Sequence, residues 1–288
     1  MRVAIVGPGR VGGALALALA HAGHDVVALV PGDPASASLA RARSLVPQAA
    51  VVALADLPRD VDLVVVTTPD DQVAAVARAA GAADVVAPGQ RWVHIAGGLG
   101  LDALAVVRAA GGRVAACHPA MTVPDPERGY ANLPGASWAV TAEDADLGWA
   151  RTLVLDLRGS PVTLAADDRT LYHAGLTLGS NATTAVVAMA RDLLLGAGVE
   201  DPAAFLVPLV TASAEGGARR GVEALTGPVR RGDHGTVRAH LGELRRSFPE
   251  AVEAYVALCD LLLRQSVRAG LDAERAAAVR AVLDEVRG

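Results

Sequence analysis

A glycine-rich turn directly follows the first apolar run of the chain. Residues 2–6 read RVAIV, and residues 7–12 read GPGRVG. The run predicts a buried strand, and the alanine- and leucine-rich stretch Arg10–His21 predicts a helix. In such a pattern one glycine permits the tight turn, one lets the backbone approach a pyrophosphate, and one lets the helix pack on the strand. We therefore expect a dinucleotide-binding strand, turn and helix; a glycine turn that binds nothing is the alternative.

Apolar runs of strand length alternate with helix-length stretches through the first half of the chain, which predicts a parallel sheet with crossover helices. Further strands are predicted at residues 25–30, 50–53, 63–67, 92–95, 114–117, 137–141 and 161–164. After Asp167 only helical periodicity remains, at residues 168–196, 201–216, 236–246, 249–270 and 272–287. We expect an α/β fold: an N-terminal Rossmann NAD(P)-binding domain at 1–165, then an all-α substrate and dimerisation domain at 166–288.

Composition excludes several classes of function. The formal net charge is −5 and arginines are scattered, so we expect no nucleic-acid partner. Polar residues interrupt the longest apolar stretch, so we expect no membrane span. All 26 basic residues are arginine, and no lysine is available as acid, base or Schiff-base amine. Cys117 and Cys259 lie in apolar runs, which indicates reduced thiols in a cytoplasmic protein without a signal peptide.

Three loops follow predicted strands at the sheet edge where a nicotinamide would lie. Their small residues would admit a cofactor, and His118 is the titratable group with useful reach towards a substrate. A strand-end histidine held by a backbone carbonyl is the alternative for His118. The predicted cofactor-binding residues are Gly7, Pro8, Gly9, Arg10, Val11, Gly12, Thr67, Thr68, Pro69, Ala96 and Gly97.

The end of the second strand bears on the choice between NAD and NADP. NAD enzymes place an acidic residue there for the ribose hydroxyls. Here the strand ends at Val30, and Asp33 comes two or three residues late. NADP (NADPH) is therefore favoured over NAD. Arg10, Arg41 or Arg43 could meet its 2′-phosphate, or each could be an ordinary solvated helix residue.

A polar stripe runs along an otherwise apolar helix in the second half. His173, Thr177, Asn181 and Thr184 follow one another at i, i+4, i+8 and i+11, so they share one helix face. We take His173, Thr177 and Asn181 as catalytic candidates and Thr184 as substrate-binding. The alternative is a buried helix whose Thr and Asn side chains bond the carbonyl one turn back.

A second polar segment reads TGPVRRGD at residues 226–233. Thr226 and Arg230 are predicted to bind the substrate, with the guanidinium as a fork for a carboxylate. A helix corner with solvated arginines is the alternative. No CxxC or HxxxH spacing accompanies these motifs, so no metal is expected.

Four segments together resemble a known family: GPGRVG, His118-Pro119, the YH and SN of residues 172–181, and ALTGPVRRGD at 224–233. They are similar to bacterial Rossmann-like proteins that carry a C-terminal domain of unknown function (number 2520), over essentially the whole chain. That family is similar in architecture to ketopantoate reductases, pyrroline-5-carboxylate reductases and deazaflavin-using NADP oxidoreductases.

Ketopantoate reductases carry a lysine, an asparagine and an asparagine-x-x-threonine-alanine run on successive turns of one helix. The corresponding positions here hold His173, Thr177, Asn181 and Thr184. The second asparagine and the threonine match, whereas histidine replaces the proton-donating lysine; imidazole can do the same work. The resemblance implies an NADP-dependent reductase of a small 2-oxo acid, with ketopantoate (2-dehydropantoate) as substrate, His173 as proton donor and Asn181 on the carbonyl oxygen.

Other functions fit the same fold. An imine- or pyrroline-type reductase, or a deazaflavin-linked NADP oxidoreductase, is one alternative; a cyclic imine without an acid group would need no carboxylate fork. A non-catalytic NADP-binding regulatory protein is a further alternative, favoured by the missing lysine. Apolar residues crowd the last two predicted helices, at 251–263 and 276–286, so we expect a homodimer through the C-terminal helices.

Overall fold

The computed structural model describes residues 1–287, apart from the side chain of Arg287. The chain divides into two compact units, Met1–Gly179 and Ser180–Gly288. An eight-stranded sheet forms in the first unit, and the described part of the second is helical. The expected fold class is confirmed. Among the described residues, no helix is long and apolar enough to cross a membrane.

The first unit contains all eight predicted strands. They are β1 (Arg2–Val6), β2 (Asp25–Val30), β3 (Ala50–Val51), β4 (Leu63–Val66), β5 (Arg91–His94), β6 (Arg113–Pro119), β7 (Ser137–Ala142) and β8 (Ser160–Thr163). Its helices are α1 (Arg10–His21), α2 (Ala37–Leu45), α3 (Asp70–Ala82), α4 (Ala105–Ala109), α5 (Pro126–Asn132), α6 (Asp144–Asp156) and α7 (Arg169–Thr177). The short helices α4 and α5 were not predicted.

The sheet has the strand order β3-β2-β1-β4-β5-β6-β7-β8. Strands β1 to β6 are parallel, but β7 is antiparallel to β6, and β8 is parallel to β7. The predicted parallel arrangement is found in β1 to β6, and the predicted strand–helix–strand passage of β7 and β8 is also parallel; the reversal between β6 and β7 was not predicted. The segment between β6 and β7 contains only α5, which packs on α1 instead of crossing a sheet face. The chain therefore re-enters the sheet from the carboxyl edge of β6.

Both faces of the sheet are covered, because alternate residues of each strand point to opposite faces. In β1, Val3 and Ile5 belong to the core cluster that includes residues of α1, α2 and α6. Ala4 and Val6 belong to the cluster that includes residues of α3 and α4. The carboxyl edge of β1 to β6 is left for the loops that carry the predicted site.

The second unit contains α8 (Thr183–Gly196), α9 (Pro202–Arg220), α10 (Gly227–Arg231), α11 (His234–Ser247), α12 (Val252–Arg268) and α13 (Ala273–Arg287). Its core joins α11, α12 and α13 through side chains such as Leu241, Leu263 and Leu283. Some apolar residues of 251–263 and 276–286, such as Val256 and Val282, lie in this core, whereas Leu261 and Leu262 on α12 are exposed; a dimer through these helices stays a prediction. Large apolar side chains are also exposed on α8 and α9.

The predicted helix at 168–196 is interrupted. A π-helical segment, Leu178–Ala182, separates α7 from α8 and contains the boundary between the two compact units. Wider π-helical turns do not follow the spacing that predicted the polar stripe. His173 is half-buried, whereas Thr177, Asn181 and Thr184 are exposed. The predicted domain limits at 165 and 166 mark the change to helical structure; α7 nevertheless groups with the sheet.

Candidate functional site

The glycines of the first turn have three different surroundings. Gly7 has a φ of +84°, and a side-chain Cβ there would lie 2.8 Å from the backbone nitrogen of Thr68. A Cβ on Gly12 would lie 2.6 Å from the carbonyl oxygen of Gly7. A Cβ on Gly9 would meet nothing closer than 3.9 Å. The turn and the helix packing therefore need Gly7 and Gly12, while Gly9 keeps space open for a ligand.

A cleft of about 630 Å³ lies beside this turn, at the carboxyl ends of β1, β2 and β4. The first N–H groups of α1 have no partner within the helix, which suits a pyrophosphate. The buried hydroxyl of Thr68 has no hydrogen-bond partner within the described part of the chain. These features fit a dinucleotide. Six predicted residues line the cleft: Gly7, Pro8, Gly9, Thr67, Thr68 and Pro69.

The end of the cleft nearest β2 carries an acidic residue. Asp33 lines it, and its Oδ1 accepts a hydrogen bond of 2.9 Å from the backbone N–H of Ala35. Arg41 is held elsewhere, since its Nη2 donates to Glu127 of α5 at 2.7 Å. Arg10 is exposed at the start of α1, outside the cleft lining. A role for Arg10 at a 2′-phosphate stays a prediction.

A second cavity, of about 310 Å³, adjoins the cleft and shares Thr67 and Thr68 with it. Asp70 is its acidic lining residue. Residues that were predicted separately to bind the cofactor and to bind the substrate therefore line the same cavity. Those lining the second cavity are Val11, Thr67, Thr68, Ala96, Gly97, His118 and His173, beside Ile95, Pro119, Met121 and Val123.

His173 reaches this cavity from α7 because two glycines make room for it. A Cβ on Gly97 would lie 2.4 Å from Cδ2 of His173, and one on Gly98 would lie 3.4 Å from its Nδ1. The ring of His173 also meets that of His118 edge-on, with centroids 5.7 Å apart. Gly97 therefore contributes by accepting the imidazole as well as by lining the cavity.

His118 is hydrogen-bonded to the tyrosine of the YH motif. Its Nδ1 lies 2.9 Å from the hydroxyl of Tyr172. Burial lowers the pKa of His118 to about 4, and the neighbouring His173 and Arg169 lower it as well. Burial raises the pKa of Tyr172, against the opposing influence of Arg169. At neutral pH the pair is therefore a neutral imidazole and a protonated phenol, joined by one hydrogen bond.

Arg169 and His94 lie beneath this pair. Arg169 is fully buried and donates to the carbonyl oxygen of Ala96 at 2.7 Å and to the hydroxyl of Thr141 at 3.0 Å. No carboxylate in the described residues pairs with it. His94 is also fully buried, its Nε2 lies 3.1 Å from the carbonyl oxygen of Gly100, and burial lowers its pKa to about 4. The buried cation Arg169 thus fastens α7 to the sheet close to the three histidines.

The sequence did not predict that Arg169 belongs to this cluster or that Tyr172 is bonded to His118. Tyr172 stands beside His173 in the motif, so its position was a usable signal. Arg169 follows two aspartates and looks like an ordinary surface charge; only the fold shows its burial. Cys117 is buried on β6, where burial raises its pKa to about 12, which fits the predicted reduced thiol without chemistry.

Other predicted residues belong to the second unit or lie outside the cavities. Asn181, Thr184, Thr226 and Arg230 fall within Ser180–Gly288, so their contacts with a substrate stay predictions. The hydroxyl of Thr184 donates to the carbonyl oxygen of Ser180 at 3.1 Å, as the structural alternative anticipated. Thr177 lines neither cavity of the first unit. Among the described residues, no group of His, Cys, Asp and Glu could hold a metal ion.

Comparison with sequence families divides the chain into two parts. Residues 1–119 match the family of Rossmann-like domains, and residues 136–261 match a family described as a domain of unknown function, DUF2520. No curated protein sequence matches it. The resemblance seen in the motifs is thereby confirmed.

Solved structures share the architecture. A candidate NADP oxidoreductase from Bacteroides fragilis is 20% identical with a TM-score of 0.76, over 91% of this chain and 97% of that one. An imine reductase from Myxococcus stipitatus in complex with NADP+ is 16% identical with a TM-score of 0.64, over 94% and 95%. A candidate F420-dependent NADP reductase from an Arthrobacter species is 25% identical with a TM-score of 0.51, over 65% and 94%.

Proposed function

We propose that this protein is an NADPH-dependent reductase that reduces the carbonyl group of a small 2-oxo acid, with ketopantoate as the first substrate to test. One observation carries the proposal: a cleft suited to a dinucleotide adjoins a cavity that holds His118 and His173. The NADP named for structures of the same fold supports the choice of cofactor.

The first unit supplies binding and water exclusion in this proposal. The turn at Gly7 and Gly9 and the start of α1 would hold the pyrophosphate, and the hydroxyl of Thr68 would gain a partner. NADPH, when bound, supplies the hydride. Apolar cavity residues such as Ile95 and Met121 would exclude water from the reacting carbonyl.

Side chains of α7 and β6 would deliver the proton. His173 is our proposed donor to the oxygen on which negative charge develops, because its ring lines the cavity. Tyr172 is the alternative donor, with His118 holding its hydroxyl. Arg169 would favour negative charge nearby through its field, without touching the substrate. Asn181 stays our predicted partner of the substrate's carbonyl oxygen, and Thr226 and Arg230 stay those of its carboxylate. These assignments rest on the sequence alone.

The test is a substrate panel with purified protein, following the loss of NADPH absorbance in the reductive direction and its gain where NADP+ is the cofactor. It contains ketopantoate, other short 2-oxo acids and the corresponding 2-hydroxy acids with NADP+. Turnover of a 2-oxo acid that ranks above simple ketones supports the proposal. Tight NADPH binding with no turnover across this panel and an imine panel would favour the non-catalytic regulatory protein.

A second candidate function is reduction of a cyclic imine. The observation in its favour is the charge of the cavity: Asp70 lines it, and no arginine of the described residues does. A carboxylate beside the cavity suits a protonated imine better than an anionic substrate. The imine reductase of the same fold also favours it. Asp70→Asn separates the two, since it would weaken imine turnover and leave or improve turnover of a 2-oxo acid.

We also propose a homodimer, through α8 and α9 instead of α12 and α13. Phe205, Val207 and Leu209 on α9 are 62–63% exposed, and residues 202–214 carry no charge. An uncharged apolar helix face offers no charge pattern for an unlike partner, whereas it can bury itself against the same face of a second copy. Light scattering over a concentration series gives the oligomeric state directly.

A further inference from the structure

A cavity in the second unit has a charged lining, of which the proposed function uses only Thr226 and Arg230, on sequence grounds. It measures about 510 Å³ and lies between α10 and the turn that joins α12 to α13. Arg230, Arg231 and Arg275 line it, against a single carboxylate, Asp272. Like charges gathered on one concave surface cost free energy unless a ligand of opposite charge neutralises them.

Packing and hydrogen bonds hold the walls of this cavity in place. Val229 of α10 is buried in the core of the second unit, which fixes the helix that carries two of the arginines. Arg230 is oriented by a 2.9 Å hydrogen bond from its Nη2 to the carbonyl oxygen of Ala269, at the end of α12. Part of this guanidinium is thus committed to the protein, which changes its predicted role as a free carboxylate fork.

The side chain of Arg275 is set by a glycine. Gly232 has a φ of +71°, and a Cβ there would lie 2.5 Å from Cβ of Arg275. The RRGD sequence therefore lets α13 approach α10 closely enough to bring Arg275 to the cavity. Asp272 pairs with Arg275 only at 3.5 Å and with both side chains more than half exposed, so an incoming anion can replace it.

Thr226 supplies an uncharged donor at the same cavity. It stands at the start of α10, and its hydroxyl makes no capping bond to that helix within the described chain. Guanidinium groups together with a hydroxyl match the oxygens of a phosphate or carboxylate group. We infer that this cavity binds an oxyanion group, through Arg231, Arg275 and the free part of Arg230.

The inference deepens the proposed function if the oxyanion is the acid group of the substrate, and stands apart from it if the anion is a separate ligand. Calorimetric titration of the full-length protein with inorganic phosphate and with citrate tests it without any assay of turnover. We expect both probes to bind, and Arg275→Gln and Arg231→Gln each to weaken binding by at least about tenfold. Arg238→Gln, on α11 where Arg238 pairs with Glu285, is the matched control and should change it by less than about twofold.

A variant that should strengthen anion binding complements the two that should weaken it. Asp272→Asn keeps a helix-capping side chain but removes the competing carboxylate, so phosphate should bind more tightly. No binding of either probe to the wild type, or equal losses in the control, overturns the inference. With a substrate in hand, phosphate that competes with it identifies the anion as the acid group of the substrate; phosphate that binds without competition identifies a separate ligand. Failure of the binding assay leaves the proposed reaction untouched, and failure of the reaction leaves the binding assay valid.

Discussion

The carboxyl edge of the parallel strands and the helices α8 and α9 present their side chains in opposite ways. At the edge, Arg169 and His94 are fully buried, and each is hydrogen-bonded to a carbonyl group of a strand-end loop. On α9, the apolar side chains of Phe205 and Leu209 are more than half exposed. The first region holds its buried polar side chains by hydrogen bonds to the chain itself, although Nε of Arg169 and Nδ1 of His94 have no partner among the described residues. The second region leaves apolar surface uncovered. Chemistry is therefore expected to depend on the first region and assembly on the second.

The largest effect is expected from the cavity at the sheet edge. His173→Ala should lower turnover by roughly a hundredfold or more, the scale of a general acid, and leave NADPH affinity nearly unchanged. Leu171→Ala is the matched control, because Leu171 lies on the same helix and is 77% exposed. Steady-state kinetics beside calorimetric titration check this. An equal loss of stability and of NADPH affinity, with no specific loss of turnover, would return His173 to a structural role.

The buried imidazoles make the same region sensitive to pH. Burial lowers the pKa of His94 to about 4, so the folded chain binds fewer protons than the unfolded chain between that value and the ordinary 6.5. Its contribution to stability is fully present above about pH 6.5 and is lost as the pH falls towards 4. Between pH 6.5 and 5 the loss is on the order of 1–2 kcal/mol.

Denaturant unfolding at a series of pH values measures this loss. His94→Gln should unfold more easily at neutral pH but show a shallower decline on acidification, because the titrating group is gone. An undiminished pH dependence in His94→Gln would assign the decline to other groups.

The glycine turn separates ligand binding from folding. Gly9→Ala should weaken NADPH binding by at least about tenfold at little cost in stability, since a Cβ there meets open space. Gly12→Ala should instead destabilise the fold by about 1–3 kcal/mol, because its Cβ would lie 2.6 Å from the carbonyl oxygen of Gly7. Thermal unfolding and NADPH titration of both variants decide it. Unchanged NADPH affinity in folded Gly9→Ala would contradict the assignment of the cleft.

Much of the sheet region could be predicted because its signals are local. The spacing of Gly7, Gly9 and Gly12 and the length of each apolar run are properties of short segments. The direction of β7 is not, since an apolar run of strand length carries no polarity; α5 sets it by packing on α1. The burial of Arg169 was not predicted for a related reason: it depends on Ala96, Ala116 and Thr141, which are distant from it in sequence.

The sequence predicted most of the long helices of the second unit, but not which of their faces are buried. Helical periodicity located α8, α9, α12 and α13, yet it does not say which apolar face a neighbouring helix covers. One apolar face of the last two helices fills the core of their own unit, although Leu261 and Leu262 on α12 stay exposed. The π-helical segment Leu178–Ala182 likewise left no signal in a pattern that assumes regular turns.

The apolar face of α9 is where the proposed homodimer can be tested. Leu209→Glu would place a charge on the face that we propose to be buried in the homodimer, and should raise the dimer dissociation constant by at least about tenfold. Leu155→Glu is the control, because Leu155 is 58% exposed on α6 of the first unit. Sedimentation or light scattering distinguishes them. A wild type that is monomeric at all concentrations would remove the dimer from the proposal.

The smallest effect concerns the choice between NADPH and NADH. Arg41 is drawn to Glu127 through two hydrogen bonds, of 3.0 and 2.7 Å, so it is not aimed at the cleft. Because the pair is exposed, Arg41→Ala should change the ratio of NADPH to NADH affinity by less than about twofold. Arg10→Ala, at the mouth of the turn, should lower that ratio more if Arg10 meets the 2′-phosphate. A larger loss of the ratio in Arg41→Ala would show that Arg41 leaves Glu127 when NADPH binds, and a clear NADH preference in the wild type would make Asp33 the ribose ligand.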